Sequence, residues 1–297
     1  MLSRRGFTLI ELVVSLFVLG LVGIATTRVL RSLFNASGAQ IAIANTQGVM
    51  RTAALALPQD LREIGYDTIP ATGAVDSDLL AIGYRRLTFR AMRGLGVTCG
   101  TPTLTEFRIR APAIGLRDPQ PTDGFLLFLE SDPNLAADDQ WVSLSVASID
   151  YASSCGGEPA IALHLAAPPI VNPAASQPMA LSQHFVGGPV RWFERIEYGP
   201  HRDPSTGQAF LGVRSVSLGQ TELSPLIGPF PDTTSFLFEY IGTGGPISPP
   251  GPPSAVRTVV LVLNGQTEPV SLAGGTDRNP VPSVVVARVA LRNALRP

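Results

Sequence analysis

Glu11 is a carboxylate in a stretch, residues 7–27, that is otherwise apolar apart from a few hydroxyl groups. A charged carboxylate inside a bilayer costs about 3 kcal/mol on membrane-insertion scales, so such a residue is expected to have a partner and a function. The nearest basic residues, Arg4 and Arg5, lie six or seven positions earlier, nearly two helical turns away. The uncut chain therefore offers Glu11 no cation within one helical turn.

Cleavage of the chain after Gly6 would supply that cation. Phe7 would then carry a new α-amino group, positively charged and at the same depth as Glu11. Opposite charges at contact distance attract far more strongly in a low-dielectric environment than in water. The small Gly6 would also let an enzyme approach the backbone closely.

Three histidines and a pair of aspartates are the other candidates for chemistry in this chain. His164 lies in a predicted strand, while His184 and His201 are expected in loops, and none has a second ligand at i+2 to i+4. The loop at 130–139, with Asp138 and Asp139, lacks the order of a calcium-binding loop. Without lysine and without a G-x-S-x-G motif, the sequence predicts no catalytic residue, no metal site and no cofactor.

The segment that holds Glu11 is long enough to cross a membrane. Residues 7–27 form 21 positions, which as a helix cover roughly 30 Å, the thickness of a bilayer core. Arg4 and Arg5 precede it, and the positive-inside bias places that short end in the cytoplasm and the rest of the chain outside. A signal peptide would need a shorter apolar centre and a cleavage site after it, and a buried core helix would not need the arginine leader.

The residues around the predicted cut carry a resemblance to a known family. Residues 5–12 read RGFTLIEL, which resembles the type IV prepilin signature shared by pilins and type II secretion pseudopilins. The resemblance implies cleavage between Gly6 and Phe7 by a prepilin peptidase and N-methylation of Phe7. It also implies that Glu11 meets the N-terminal amine of a neighbouring subunit during assembly. The implied partners are the peptidase, other pilins or pseudopilins, the inner-membrane assembly platform and, before assembly, membrane lipid.

Composition limits the remaining function classes. The 297 residues are 45% hydrophobic and 15% charged, enough for a sizeable core, and the net charge is −1. All the basic residues are arginine, and they are dispersed along the chain. No clustered basic footprint is visible, so we expect no nucleic-acid partner.

Helical spacing continues past the predicted span. Leu57, Leu61 and Ile64 keep that spacing, and Gly65 is expected to end the helix. Pro58 is expected to kink or interrupt it, and Gly38 and Gly48 are alternative break points. The sequence therefore predicts a helix from residue 7 to about residue 65, whole or in pieces.

After residue 66 the pattern changes to the two-residue alternation of strands, with Pro/Gly-rich loops between them. GLGVTCG (94–100) is interpreted as a glycine-rich turn and GTGGPISPPGPPS (242–254) as a stiff surface loop. Nine segments are predicted as strands: 105–111, 124–130, 141–146, 160–166, 190–198, 211–218, 235–241, 256–264 and 284–292. The predicted fold class is α+β, with a long N-terminal helix packed on a mainly antiparallel sheet, the pilin-like arrangement.

Cys99 and Cys155 both follow the predicted span, in a compartment where disulfides persist. A disulfide between them is expected to stabilise the domain by about 4 kcal/mol in the chain-entropy model. The alternative is two unrelated thiols, because spacing alone does not show that the Cα atoms are close.

The order of blocks along the chain is similar to one branch of the family. LREIGYD (61–67), FERIEYG (193–199), AVRTVVLVLN (255–264) and VARVALRN (286–293) resemble large minor pilins of the PilW type and minor pseudopilins of the GspJ type. The domains expected from this resemblance are a leader at 1–6, a transmembrane and filament-core helix at 7–27, a helix continuation at 28–65 and an extracytoplasmic head at 66–297.

The resulting prediction is a structural subunit rather than an enzyme. It is held by one pass of the inner membrane, processed by prepilin peptidase and assembled into a type IV pilus or type II secretion pseudopilus, at its tip. The alternatives are a surface adhesin or DNA-capture subunit on the same anchor, and a signal-anchored periplasmic enzyme. The leader motif is common to pilus, secretion and DNA-uptake systems.

Overall fold

A computed structural model describes the chain at residues 8–62, 64, 66–69, 74–100, 103–129, 140–168, 170–172, 177–178, 186–267, 269–271 and 278–291. The chain divides into two compact units. The first unit combines Met1–Arg51 with Asn264–Val284, and the second unit combines Thr52–Leu263 with Val285–Pro297. The predicted α+β class is confirmed, because one long apolar helix precedes a mainly antiparallel β structure.

The helix, α1, spans Leu9–Arg62 without interruption. Its 54 residues correspond to about 81 Å at 1.5 Å per residue. It ends three residues before the expected stop at Gly65, which lies outside the described residues. Arg62 occupies the last turn, where a cation is favoured by the exposed carbonyl groups.

The expected interruption at Gly38, Gly48 or Pro58 is wrong, because α1 passes through all three, while a kink at Pro58 stays a prediction. A proline inside a helix costs about 3 kcal/mol through the lost backbone hydrogen bond and the ring clash. On either side of this position, Leu57 and Leu61 are 1% and 0% exposed within the second unit. Full burial of each leucine contributes about 1.5–3 kcal/mol, so their packing outweighs the local defect.

Twenty-one strands lie in the described residues: β1 Tyr66–Ile69, β2 Ala74–Ser77, β3 Leu79–Ile82, β4 Leu87–Cys99, β5 Glu106–Arg110, β6 Ile114–Gly115, β7 Gly124–Leu129, β8 Gln140–Leu144, β9 Val146–Cys155, β10 Glu158–Leu165, β11 Ile170–Asn172, β12 Gln177–Pro178, β13 Pro189–Arg202, β14 Ala209–Ser215, β15 Ser224–Phe230, β16 Phe236–Gly242, β17 Gly245–Ile247, β18 Val256–Gln266, β19 Val270–Ser271, β20 Arg278–Asn279 and β21 Pro282–Ala290. One turn of 3₁₀ helix, Pro253–Ala255, precedes β18. Each of the nine predicted segments overlaps one of these strands.

The main sheet of the second unit has eleven strands among the described residues. Its longest path runs β15-β14-β13-β4-β5-β10-β9, and β3, β6, β7 and β8 pair beside it. The centre is β13, which pairs with β4 along one edge and with β7 and then β14 along the other. A four-stranded sheet follows in the order β17-β16-β18-β21.

Trp192 on β13 organises the core of this sheet. It is fully buried, and its indole N–H donates to the carbonyl oxygen of Arg117 at 3.2 Å. The same apolar cluster draws on β5, β7, β8, β10 and β13, although β5 and β10 do not pair with β7 or β8. The sheet therefore curves around the core so that these strands share it.

The interpretation of GLGVTCG as a turn is wrong, since six of its residues belong to β4. Gly94 lies opposite Trp192 in the ladder, and a Cβ built on Gly94 would be 2.0 Å from the indole Cζ2. A Cβ on Gly96 would likewise be 3.0 Å from Ile109 Cδ1. These glycines make room for large side chains from elsewhere in the chain and do not reverse its direction.

Side-chain hydroxyl groups join distant parts of the second unit. The phenol of Tyr198, on β13, donates to Asp60 Oδ2 near the end of α1 at 2.6 Å. Burial, reinforced by the charge of Asp60, raises the pKa of Tyr198. The last turns of the helix are thus held to the sheet by polar as well as apolar contacts. Elsewhere in the unit, the phenol of Tyr240 donates to the carbonyl oxygen of Gly83 at 2.8 Å.

In the first unit, α1 packs against the end of β18. Met50 is 1% exposed, and a Cβ built on Gly265 would be 3.0 Å from Met50 Sδ and 3.1 Å from Thr46 Cγ2. Thr267 and Val281 bind each other, because the Thr267 N–H donates to the Val281 carbonyl oxygen and the Val281 N–H to Thr267 Oγ1. This segment gives the helix one covered face.

Cys99 and Cys155 form a disulfide bond, with sulfur atoms 2.00 Å apart. It joins the end of β4 to the end of β9 and closes a loop with a sequence separation of 56. Reduction should therefore lower the free energy of unfolding of the second unit by about 4 kcal/mol. Urea denaturation of the purified full chain with and without dithiothreitol measures this loss, and the Cys99→Ser/Cys155→Ser double variant should no longer respond to the reductant. A response of the double variant equal to that of the unchanged protein would contradict the assignment.

Replacement of Gly94 by alanine should destabilise the second unit by about 1–3 kcal/mol, because the new methyl group overlaps the Trp192 ring. The control is Gly244→Ala, where a Cβ has no atom within 4 Å. Urea midpoints of the two variants in detergent provide the comparison. Equal midpoints would show that β4 and β13 are not packed as described.

Candidate functional site

Glu11 closes a hydrogen-bonded ring with Thr8 at the start of α1. The backbone N–H and the hydroxyl group of Thr8 each donate to Glu11 Oε2 at 3.0 Å. In return, the backbone N–H of Glu11 donates to Thr8 Oγ1 at 3.3 Å. Since the helix begins at Leu9, Thr8 is the N-cap residue and Glu11 the third residue of the helix. This is a capping box, in which cap and acid satisfy each other's free N–H groups.

The capping box gives Glu11 a second role, local to its own helix, that was not predicted. The signal was present, because T-x-x-E immediately before an apolar run is the sequence pattern of a capping box. A carboxylate in the first helical turn is also stabilised by the positive end of the helix dipole. Both effects act on a charged carboxylate without neutralising it, so Glu11 keeps its need for a cation.

The carboxylate keeps one oxygen for another partner. Both bonds from Thr8 reach Oε2, and within the described residues no donor contacts Oε1. The residues predicted for cleavage and methylation, Gly6 and Phe7, lie outside the described part of the chain, as do Arg4 and Arg5. Cleavage, methylation and the meeting of Glu11 with an amine remain predictions.

The first half of α1 is not covered by the described part of the chain. An 18-residue window of this helix has a mean hydropathy of 2.4, and none of the window is buried. Phe17 and Leu19, for example, are 67% and 70% exposed. In length and composition the helix can cross a membrane. The surroundings of Glu11 are therefore set by whatever covers this apolar surface.

A cluster of charged side chains surrounds Glu194, on β13. Arg117 binds Asp123 through both of its terminal nitrogens at 2.6 Å, and this hydrogen bonding raises the pKa of Arg117. Burial alone would raise the pKa of Glu194, but hydrogen bonds from Ser215 and Arg93 and the charges of Arg93 and Arg117 lower it.

A second ion-pair group lies three residues further along β13. Glu197, 7% exposed, accepts hydrogen bonds from Arg86 and from Arg214, the latter at 2.7 Å. Each of the two carboxylates on this strand, half-buried Glu194 and buried Glu197, thus has a guanidinium partner. Such pairing is what an acid needs to remain charged in a protein interior, and it assigns these residues to the fold.

The remaining candidates are separated. His164 Nδ1 lies 3.6 Å from Glu106 Oε2 on an exposed part of β10. His201, expected in a loop, lies in β13 opposite Phe210, so that expectation is wrong. His184, Asp138, Asp139 and the rest of the acidic loop lie outside the described residues. Among described residues, no group of three or more His, Cys, Asp or Glu side chains could hold a metal ion.

Comparison with known proteins identifies the N-terminal segment. The family model described as the prokaryotic N-terminal methylation motif matches residues 1–27. Searches of curated proteins and of solved structures give no match. The matched segment contains the predicted cut, Thr8, Glu11 and the uncovered apolar run. The motif supports a type IV pilin-like prepilin, an assembling precursor whose membrane-capable helix begins at the Thr8–Glu11 capping box.

Proposed function

We propose that this protein is a minor pilin or minor pseudopilin, assembled at the tip of a type IV pilus or a type II secretion pseudopilus. The observation that carries the proposal is the methylation motif at residues 1–27, joined to an apolar helix that the described chain leaves uncovered. An anchor of this kind needs lipid before assembly and other helices afterwards. The protein's task is therefore structural, and its partners are subunits that offer the same kind of helix.

The leader at 1–6 would stay in the cytoplasm until prepilin peptidase cuts between Gly6 and Phe7. Removal of Arg4 and Arg5 takes the formal charge from −1 to −1 − 2 = −3 and leaves an amine on Phe7. Residues 7–27 would hold the protein in the inner membrane, and 66–297 would form the extracytoplasmic head. The positive-inside bias of the leader supports this orientation.

Glu11 would select the next subunit by charge. Within the described residues, the carboxylate accepts from neutral donors only, the N–H and hydroxyl group of Thr8. A methylated α-amine from a neighbouring chain would approach Oε1 without breaking the capping box. Charge neutralisation in an apolar environment removes the penalty that each group would have alone, which favours this one alignment of two chains.

The size of the β structure supports a minor position in the filament. The main sheet has eleven strands among the described residues, and a four-stranded sheet follows. Family analogy suggests that so large a head is difficult to repeat along a tight helical lattice, and a tip position removes that constraint. The similarity of blocks 61–67, 193–199 and 255–264 to the PilW and GspJ types supports the same assignment.

The mature protein is expected to begin at Phe7 and to carry one N-methyl group there. Mass spectrometry of the N-terminal peptide, from protein purified from its native membranes, tests this directly. A Gly6→Leu variant is the control, because a large side chain at the cut should block close approach of the peptidase and leave Met1 in place. Finding Met1 in the unchanged protein, or a cut downstream of Thr27, would overturn the prepilin assignment.

Glu11→Ala should reduce incorporation into filaments by at least about tenfold, because loss of one buried ion-pair partner costs more than 1.4 kcal/mol. Membrane insertion and cleavage should persist. The measurement is the amount of mature protein in sheared filaments relative to the amount in membranes.

Two further variants separate charge from helix capping. Glu11→Gln keeps a side chain that can close the capping box but has no charge, so it should fail as Glu11→Ala does. Thr8→Val removes the capping hydroxyl and keeps the charge, so it should retain most incorporation. The opposite ranking, with Glu11→Gln active and Thr8→Val inactive, would show that Glu11 acts through the cap and not through an amine.

A further inference from the structure

The last strand, β21, has one side along which no strand of the described chain pairs. It ends the four-stranded sheet β17-β16-β18-β21, in which β18 is its neighbour. Residues 285–290 of β21 form what we call the open edge, and they belong to the second unit. An unpaired strand edge presents N–H and C=O groups that can pair with another extended chain. The open edge is therefore a candidate binding surface.

Three residues of the open edge direct their backbone groups away from β18. The N–H of Leu291, directly after β21, donates to the carbonyl oxygen of Arg257 at 2.9 Å, so Leu291 faces β18. Along a strand, successive residues direct their hydrogen-bonding groups to opposite sides. The alternation of burial along the open edge is regular and shows no interruption of this order. The even-numbered residues Val286, Arg288 and Ala290, all exposed, therefore face the unpaired side.

The strands at the other ends of the two largest sheets are protected against such pairing, and the open edge is not. β15 contains Pro225 and Pro229 and shifts its register twice against β14. On β9, the backbone N–H of Ala152 donates to the side chain of Asp150, and β17 has only three residues. Prolines, irregular register and short length are devices that keep edge strands from pairing. Residues 285–290 have none of them.

Arg288 carries the only charge of the open edge and selects among strands that could pair with it. β21 contains no acidic residue, so a second copy of this strand would bring no carboxylate opposite Arg288. Opposite charges directly across a strand pair are stabilising, and like charges there are destabilising. The open edge therefore favours a strand from a different protein. That strand would place a carboxylate opposite Arg288 and apolar or small residues opposite Val286 and Ala290.

We propose that the open edge binds an extended segment of another protein, which adds a strand to the sheet beside β21. Backbone hydrogen bonds would supply much of the affinity of this contact, and the side chains of the edge-facing residues its specificity. The proposal goes beyond the proposed function, because it depends on the second unit and not on the N-terminal motif.

A proline at Val286 separates pairing at the open edge from the stability of the sheet. The Val286 N–H faces away from β18, and proline is tolerated in an edge strand where its missing N–H faces outwards. Val286→Pro should therefore leave the urea midpoint of the full chain in detergent nearly unchanged. Ala287→Pro is the matched control, because it removes an N–H that faces β18 and should lower the midpoint. Val286→Thr keeps both the N–H and the branched side chain.

Photo-cross-linking in native cells tests the proposal with the full-length protein. The probe is p-benzoylphenylalanine, placed at Ala290 on the open edge or, as the control, at Glu239. Glu239 is also exposed, but it lies on β16, which has a strand on each side. Mass spectrometry identifies the joined protein and the segment that carries the cross-link.

We expect the Ala290 probe to join a different protein, at a segment where apolar and acidic residues alternate, and the Glu239 probe to give several-fold less. Val286→Pro should lower the yield about tenfold through the lost hydrogen bond, and Val286→Thr should retain it. Arg288→Glu should lower the yield about threefold, because it replaces a cross-strand attraction by a repulsion.

Four outcomes would overturn the proposal. The first is a product that contains a second copy of this chain or another segment of the same chain. The second is an equal yield from the Ala290 and Glu239 probes, or no product from either. The third is a yield that Val286→Pro leaves unchanged. The fourth is a fall in the urea midpoint for Val286→Pro as large as that for Ala287→Pro, which would show that the Val286 N–H faces β18.

Discussion

The apolar first half of α1, uncovered by the described chain, is the constraint on which the rest of the structure depends. Between Leu9 and Ile24, twelve large apolar side chains of the described helix are each more than half exposed. Leaving them in water would cost on the order of 10–20 kcal/mol, as much as the whole stability of an ordinary domain. The apolar surface of α1 therefore has to be covered by lipid or by other helices. The ladders and ion pairs of the second unit stabilise that unit alone and leave this requirement unchanged.

Glu11 has to be understood within that constraint. The capping box with Thr8 supplies hydrogen bonds to the carboxylate, and the helix N-terminus supplies a favourable dipole, so the acid is tolerated at the start of the apolar run. Neither effect cancels the formal charge. The cap thus orients Oε2 towards its own chain and leaves the negative charge as the feature that an approaching cation can recognise. In the proposed assembly, the capping box would use one oxygen of this side chain and the neighbouring amine the other.

Much of this arrangement could be predicted from the sequence, and the misses have physical reasons. In β5, for example, the buried residues Phe107 and Ile109 alternate with charged residues, so the two-residue period was visible in the sequence. The glycine-rich part of β4 was predicted as a turn. Its Gly94 instead leaves space for the ring of Trp192, a residue almost one hundred positions away, and local sequence does not show that contact. The prediction at Pro58 failed for a similar reason. Local chemistry predicts an interruption of the helix there, but the burial of Leu57 and Leu61 stabilises the helix by more than the proline destabilises it. By contrast, the capping box is purely local, and its T-x-x-E pattern was available from the start.

One continuous helix meets three environments, and its composition changes accordingly. Before Arg28 it is apolar on all sides, as lipid or a filament core requires. From Ala39 to Met50 one face is buried against the chain's own β segment while Ile41, on the opposite face, stays exposed. Two apolar faces on opposite sides give little net amphipathicity, so the sequence of this part of the helix does not show a single apolar face. Exposed apolar residues here are costly in water, and a helix that served only to connect the anchor to the β structure would have no need of them. Under the proposed function, neighbouring helices of the assembly would cover these side chains.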